Sequence, residues 1–598
     1  MIKLKSIPLI LFGSMILSLS TMAMNDDSSD ENYSNVDPEL EGSTSILDLP
    51  PEVIINIVNY LDLKGTLEIG EVSTYFELIS RLMIKGPIRH HHLQINLEPE
   101  YNEKNEQFLN FLIKILPEKP ILKINLKNIK HNTEYFQYFL KCLGSRISSF
   151  SFQQSFRSYD SKQMQYLIEA IENGYLTNLV ALDLSREKLG FRYELNPEDI
   201  KSLLNVIKYV PNLKELYLAG NIIGPEGAAL IAEAAKNGYF AKFQKLNLSN
   251  NGLDPVGIKD LLIAIQYMPD LKELYLADNI IGQEGSALIA EAAKNGYFAK
   301  LQTLNLSNNE LDYVGIKDLL IAIQYILDLK ELYLAGNIIG PKGAALIAEA
   351  AKNGYFAKLQ TLNLSNSQLG HKGFQIFLNC VTFMQLEKLY LASNKIGYQG
   401  MAYLKDAPQK FLKYLQILDL NGNEIGSKGL KNFLAVARLM KNLQSLHLAL
   451  NNIDSKWIRD LNRFPCIQIL DLRENNLGYN GLRELSKYGG DKFIQNIKEL
   501  HLMSNNIGPK GIEHLKEFVN LITIDLRENN LGDGGFKNLS NIVDKLTNLK
   551  IIYLNGNDIS DQKIKKYLLN FGDIQLFYKS KRISKVTYSR ASEYDWLQ

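Results

Sequence analysis

The chain has 598 residues, 46% of them hydrophobic, with 66 Lys and Arg against 65 Asp and Glu. That is apolar material for a large core in a chain too long for one compact domain, so a repeat array or several domains is expected. The net charge of +1 gives no electrostatic argument for nucleic acid or an anionic membrane, and the three cysteines (Cys142, Cys380, Cys466), with no C-x-x-C pair, indicate neither a disulfide framework nor a zinc site.

From the amino terminus, Lys3 and Lys5 precede the apolar run Ile7 to Leu19, and Thr21-Met22-Ala23 supplies the small residues of a cleavage site. The run is too short to be a comfortable membrane span, so residues 1–23 read as a secretory signal, with no membrane attachment after its removal. Residues 24–45, rich in Asp, Glu, Ser and Asn, read as a flexible acidic linker. So few cysteines in an exported chain point to a reducing workplace, or to a scaffold that needs no covalent staples.

Residues 46–85 form the next element. Pro50 and Pro51 set up a helix start, and Val53, Ile54, Ile57, Val58 and Leu61 follow at helical spacing. After Gly65, Leu67, Ile69, Val72, Phe76 and Ile79 form a second periodic set. Two short helices this rich in aliphatics expose an apolar face unless a partner covers it, or else they cap the open end of a repeat array. Leu49-Pro50-Pro51-Glu52, Ile57 with Leu61, and Val72-Ser73-Thr74-Tyr75-Phe76 resemble the F-box. The resemblance implies docking on the Skp-family adaptor of a cullin ubiquitin ligase through Leu49, Pro50, Ile54, Ile57, Leu61, Leu67 and Val72, with the domain beyond selecting a target. Gly65-Thr66 departs from the pattern, which has a charged residue before the second helix.

Residues 86–175 keep a weaker rhythm: His92-x-x-Ile95-x-Leu97, Ile121-x-x-Ile124-x-Leu126 and Ile147-x-x-Phe150-x-Phe152 read as degenerate repeats acting as a cap or hinge. The run His90-His91-His92 is not read as a metal site, because neighbouring strand residues point to opposite faces and no Cys or carboxylate stands at ligand spacing.

Residues 176–575 carry the strongest signal. The string opening LKELYLAGNIIG at Leu213 returns nearly unchanged at Leu271 and begins again at Leu329, a step of 58 residues (271 − 213 = 329 − 271 = 58), and each step holds two copies of L-x-x-L-x-L-x-x-N-x-L. Alternation turns Leu216 and Leu218 to one face and Glu215, Tyr217 and Ala219 to the other, which predicts a short strand with one buried face. Asn221 is expected to bond the backbone where the chain leaves the strand. Gly224 and Pro225 break the chain, Ala-rich sequence predicts a helix, and Asn237-Gly238 predicts its left-handed cap. Starts recur at Leu179, Leu213, Phe243, Leu271, Leu301, Leu329, Leu359, Leu386, Leu415, Leu443, Ile467, Ile497, Leu521 and Leu549. The repeats opening at Leu443 and Ile497 run only 24 residues (467 − 443 = 521 − 497 = 24), so shortened outer segments are expected there.

The pattern resembles the ribonuclease-inhibitor class of leucine-rich repeats, which includes Nod-like receptors and the Ran GTPase-activating protein. The resemblance implies an α/β solenoid, a horseshoe with parallel strands inside and helices outside, preceded here by the small all-α F-box-like module. Ser367 stands where an Asn is expected, so one rung of the buried amide ladder should be weaker.

The outward strand position reads Asp183, Tyr217, Asn247, Tyr275, Asn305, Tyr333, Asn363, Tyr390, Asp419, His447, Asp471, His501, Asp525 and Tyr553. Parallel strands would set these side by side, and Tyr is a frequent interface hot spot, so Tyr217, Tyr275, Tyr333, Tyr390, His447 and Tyr553 form a candidate target-binding ladder. Tandem duplication alone would also copy the Tyr and Asn residues. Asp471, Arg473, Glu499, His501, Asp525 and Arg527 read as a charged specificity patch, against a bland alternative of surface ion pairs. No P-loop, G-x-S-x-G or H-E-x-x-H occurs, and no Cys follows the last repeat, so neither an enzyme nor a cofactor is expected. Residues 576–598 read as a capping tail.

An F-box needs a eukaryotic cytosol, while the signal implies export. An effector exported by a host-associated bacterium and acting in a host cell cytoplasm reconciles them, with a Skp-family adaptor and an unknown target as partners, and a monomer expected. Asn247-Leu248-Ser249, Asn305-Leu306-Ser307 and Asn363-Leu364-Ser365 are glycosylation triplets on the presumed binding face, which argues against a eukaryotic secretory route. The rival readings are a secreted or periplasmic recognition module and a Ran-activator-like role.

Overall fold

The computed structural model describes residues 93–97, 122–126, 140–142, 144–151, 161–186, 195–488, 491–579 and 581–583. The expected signal, linker and F-box-like module, with Leu49, Pro50, Ile54, Ile57, Leu61, Leu67 and Val72, lie outside the described residues, as do His90 to His92 and the tail from 584. The chain divides into two compact parts, Met1–Tyr193 with Val206–Leu213, and Glu194–Asn205 with Lys214–Gln598.

In the first part the strands Leu93–Leu97, Leu122–Leu126, Ile147–Ser151 and Ala181–Asp183 pair in parallel in chain order, with a register shift between Leu122 and Lys123. The weak Ile and Phe spacing therefore marks true strands. Phe150 and Leu182 are buried with Leu167 and Ile171 of the helix Ser161–Glu172.

In the second part the strands run from Glu215–Tyr217 to Gln575–Tyr578, each parallel to the next and in one-to-one register. Through Ile551–Tyr553, each begins two residues after a repeat start expected from the sequence. Leu216 and Leu218 are fully buried, while Glu215 and Tyr217 stand half-exposed on the open face of the sheet. Gly224 has φ +58, the left-handed conformation that turns the chain out of the strand and into the helix Gly224–Lys236. Gly227, one turn later, is required for a different reason: a Cβ there would collide with Cγ2 of Ile223. The helix buries Ala228, Ile231, Ala232, Ala234 and Ala235, and its small residues let it lie close to the strand layer. Gly238, at φ +83, closes it with its backbone N–H donating to the Ala235 carbonyl, and the stacked rings of Phe240 and Phe243, 4.4 Å apart, floor the return to the next strand.

A ladder of buried carboxamides ties one repeat to the next. Asn279 accepts the backbone N–H groups of Asn251 and Leu253 at 3.1 and 3.0 Å on its Oδ1, while its Nδ2 donates to the carbonyls of Leu248 and Leu276, both at 3.0 Å. Asn251 and Asn309 use only their Nδ2 groups, and their buried Oδ1 atoms have no hydrogen-bond partner among the described residues. Ser367 occupies the matching place in the third copy, so it forgoes no acceptor that its counterparts use. It also keeps one of their donor bonds, Oγ to the Ser365 carbonyl at 3.3 Å. What it lacks is the bond across to the preceding repeat, which Asn309 makes to the Leu276 carbonyl at 2.8 Å. Ser367→Asn is therefore expected to stabilise the array by about 1 kcal/mol, the net worth of one hydrogen bond, measured as a higher urea midpoint at unchanged m-value.

The repeat opening at Leu443 has only the short 3-10 turn Ile458–Arg463 outside its strand. The repeat at Ile497 has the single turn Gly508–Gly511 and the 3-10 turn Ile512–Glu517, in line with their reduced lengths. The carboxyl-terminal boundary is a correction. The array does not stop at 575: Gln575–Tyr578 adds one more parallel strand beside Ile551–Tyr553, and Lys581–Ile583 folds back antiparallel on it. Tyr578 is buried and donates its hydroxyl to the Ile559 carbonyl, so the expected tail begins as part of the sheet.

Candidate functional site

On the open face of the second part the register places Tyr217, Asn247, Tyr275, Asn305, Tyr333, Asn363 and Tyr390 on successive strands, directly beside one another. The tyrosines and asparagines do different work. Tyr217, Tyr275 and Tyr333 turn their hydroxyls back along their own strands and donate to Glu215, Glu273 and Glu331 at 2.9, 2.9 and 3.1 Å. Burial first, and then the adjacent glutamates, push these three phenols well above the ordinary tyrosine range. Lys245 joins two of these pairs, 3.1 Å from Glu273 and 3.9 Å from Glu215. Tyr390 has Lys388 where the others have Glu.

Each Asn instead caps the end of its own strand: Oδ1 of Asn247, Asn305 and Asn363 accepts the backbone N–H two residues on, at 3.0, 3.0 and 2.9 Å. Asp419, Asp471 and Asp525 take the same turn bond at 2.9, 3.1 and 3.2 Å. This structural duty of the Asn and Asp positions was missed in the sequence. The signal was there, since every repeat without an aromatic or His at this place has Asn or Asp.

Farther along, the strands bring Asp419, His447, Asp471, His501, Asp525, Tyr553 and Phe577 into register. Asp471 and Asp525, expected on the partner-facing surface, are corrected here. Their side chains are only 1% and 2% exposed, and each carboxylate is gripped by the arginine two residues on. Arg473 donates Nε and Nη2 to Asp471 at 2.9 and 2.7 Å, and Arg527 does the same to Asp525 at 2.8 and 2.6 Å. The bidentate contacts foreseen toward a partner are thus made within each repeat, which fixes both guanidinium planes and leaves them half-exposed. Burial raises the Asp471 carboxyl, and the His447 imidazole and the Arg473 guanidinium more than reverse this, holding it well below the usual carboxylate range. His447 lies between Ser445 Oγ, 2.7 Å from Nε2, and Asp471, 3.6 Å from Nδ1. His501 stands 3.7 Å from Glu499. Arg527 also lies over the Tyr553 ring, 5.6 Å from its centroid, and Tyr553 stacks on Phe577 at 4.8 Å.

The family comparison agrees with the repeat spacing. A family model described as "Leucine Rich repeat" matches residues 211–232, 241–262, 299–320, 412–434, 465–486 and 494–516. These are leucine-rich repeats. The chain is similar to the ribonuclease inhibitor of Sus scrofa, 28% identical over 277 residues (46% of this chain, 60% of that protein). It is also similar to NACHT, LRR and PYD domains-containing protein 3 of Homo sapiens, 27% identical over 327 residues (54% of this chain, 31% of that protein). The chain thus spans less than two thirds of each relative's length. Among solved structures, an LRR protein of Leptospira interrogans aligns over 76% of this chain and 99% of its own at 19% identity and a TM-score of 0.32.

Within the leucine-rich repeats one carboxylate is poorly placed. Burial raises the Asp419 carboxyl above its ordinary range, against the opposing pull of the Asn421 backbone N–H and His447. The equivalent residues Asn247, Asn305 and Asn363 make the same turn bond without a charge. Asp419→Asn is therefore expected to raise the melting temperature modestly at pH 7. An acid whose folded pKa is raised opposes folding while ionised, so the gain should vanish as pH falls toward 4 and both states of the wild type become protonated. Among the described residues, no group of His, Cys, Asp and Glu is arranged to hold a metal ion.

Proposed function

We propose that the chain is a protein-recognition module whose leucine-rich repeats grip a target on the open face of the sheet. The observation that carries this reading is the immobilisation of the hot-spot residue types. Tyr217, Tyr275 and Tyr333 are pinned to glutamates, and Arg473 and Arg527 to buried carboxylates, before any partner arrives. Side chains ordered in advance lose little entropy on binding, and Tyr and Arg dominate interface energetics. The ribonuclease inhibitor to which the chain is similar is, by its name, a protein that acts on another protein.

The finer reading is a substrate-recognition adaptor. The F-box-like stretch docks on a Skp-family adaptor through Leu49, Pro50, Ile54, Ile57, Leu61, Leu67 and Val72, and the repeats present the target to the associated ubiquitin ligase. The chain would be exported by a host-associated bacterium and work in a host cytosol. Its support is the motif Leu49-Pro50-Pro51-Glu52 with Val72-Ser73-Thr74-Tyr75-Phe76 behind a signal-like segment.

Two measurements test these readings. A photo-crosslinker at Tyr275 is expected to capture a host protein that one at Lys294, on the outer helix, does not; equal capture at both sites defeats the open-face reading. Purified Met24 to Gln598 is expected to bind a purified Skp-family adaptor, with binding lost on Leu61→Asp. No binding favours the secreted or periplasmic recognition module.

A further inference from the structure

Tyr217, Tyr275, Tyr333 and Tyr390 occupy every second strand of one unbroken, in-register run. Adjacent strands lie about 4.8 Å apart, so the half-exposed rings recur every 9.6 Å or so. Duplication explains the first three. The repeat at Leu386 has diverged to LEKLYLASNKIG, with Lys388 in the Glu position, and Tyr390 still keeps the ring in phase.

Between the rings stand Asn247, Asn305 and Asn363. Because each Oδ1 is held by the backbone N–H two residues on, each Nδ2 is aimed by the same bond, and none of the three donates to another group among the described residues. The face therefore alternates aromatic surface with an unused amide donor, at a constant step.

A ligand that uses every ring must repeat at that step on one side. Polyproline II advances about 9.3 Å in three residues, returns the same face each time, and leaves all its carbonyls without internal hydrogen bonds. Two turns of α-helix advance about 10.8 Å, which falls out of phase with four rings by about 3.6 Å, and a helix offers no free carbonyls along its length. A β-strand presents opposite faces to positions three residues apart.

We infer that the partner element gripped by Tyr217 to Tyr390 is a proline-rich segment in the polyproline II conformation, its prolines packed on the tyrosine rings and its carbonyls accepting from the three asparagine amides. This rests on the open face being the grip.

The test uses the full chain and labelled 15-residue peptides, (Pro-Pro-Gln)5 and (Gly-Gly-Gln)5, followed by fluorescence anisotropy. The proline peptide is expected to bind at least about tenfold more tightly. Tyr275→Ala should weaken it about tenfold, while Tyr275→Phe, which keeps the ring but loses its tether to Glu273, should weaken it by only about threefold. Asn305→Asp keeps the oxygen that accepts the Ser307 N–H but removes the donor, so it should weaken the neutral peptide, together with the modest loss of melting temperature at pH 7 that a half-buried carboxylate at this strand position entails. Equal affinity for the two peptides, or an Asn305→Asp variant that binds as the wild type does, overturns the inference. If the proline peptide fails while the Tyr275 crosslinker still captures a protein, the open-face reading stands and only this ligand class falls; if both fail, the face itself is not the grip.

Discussion

Replacing Asn423 with alanine is expected to lower the unfolding free energy of the repeats by about 4 kcal/mol, since several buried backbone groups lose their partner at once. The Asn423 oxygen accepts the N–H groups of Asn394 and Ile396, at 3.0 and 3.3 Å, and its amide donates to the carbonyls of Leu391, Leu420 and Asn421. Asn423 itself is fully buried, so water cannot substitute without opening the layer. Repeats are stabilised by contacts with their neighbours alone, so weakening one rung near the middle should also split the unfolding transition in urea, the two halves melting separately. Circular dichroism and a fluorescent probe placed in one half report this directly. A single transition with less than about 1 kcal/mol lost would show that the ladder contributes little.

The second large effect is acid sensitivity centred on Asp471. Its folded pKa is depressed, so its contribution is fully present above the unfolded value near 4 and is lost as pH falls through the folded value. A buried carboxylate held that low stabilises by something on the order of 2 kcal/mol at neutral pH. Asp471→Asn should retain the turn bond to the Arg473 N–H, as Asn247 does to Ser249, but abolish the ion pair. The variant should therefore be less stable than the wild type at pH 7, and the two curves should converge below pH 4. Parallel curves down to low pH would place the stabilisation elsewhere.

Much of the fold was legible because leucines at fixed intervals leave few alternatives: each apolar pair at i and i+2 of a strand buries one face, and Gly and Asn mark each exit. The last strand, Gln575–Tyr578, was not legible, since Ile574, Leu576 and Tyr578 lack the Asn and the leading leucine that identify the others. The candidate face was legible in position but not in chemistry. That Tyr217 lies beside Asn247 follows from the repeat length. That Asp471 is buried beneath Arg473, and that Glu215 holds Tyr217, depends on which way long side chains turn along the strand, and the sequence says only that positions two apart share a face. The sequence therefore left a partner-facing patch and internal ion pairs both open for these Asp and Arg residues, and in the structure each carboxylate is taken by its own arginine.

The near-identity of the stretches beginning at Leu213, Leu271 and Leu329 carries a kinetic liability. A refolding chain that skips 58 residues still finds a matching strand, a matching carboxamide and the correct Tyr/Asn phase, so the mispaired intermediate has almost nothing to correct it. Slow refolding phases and domain-swapped dimers are the natural products of such ambiguity. The divergence that begins at Ser367 and continues beyond Leu386 ends it, because there only one neighbour fits.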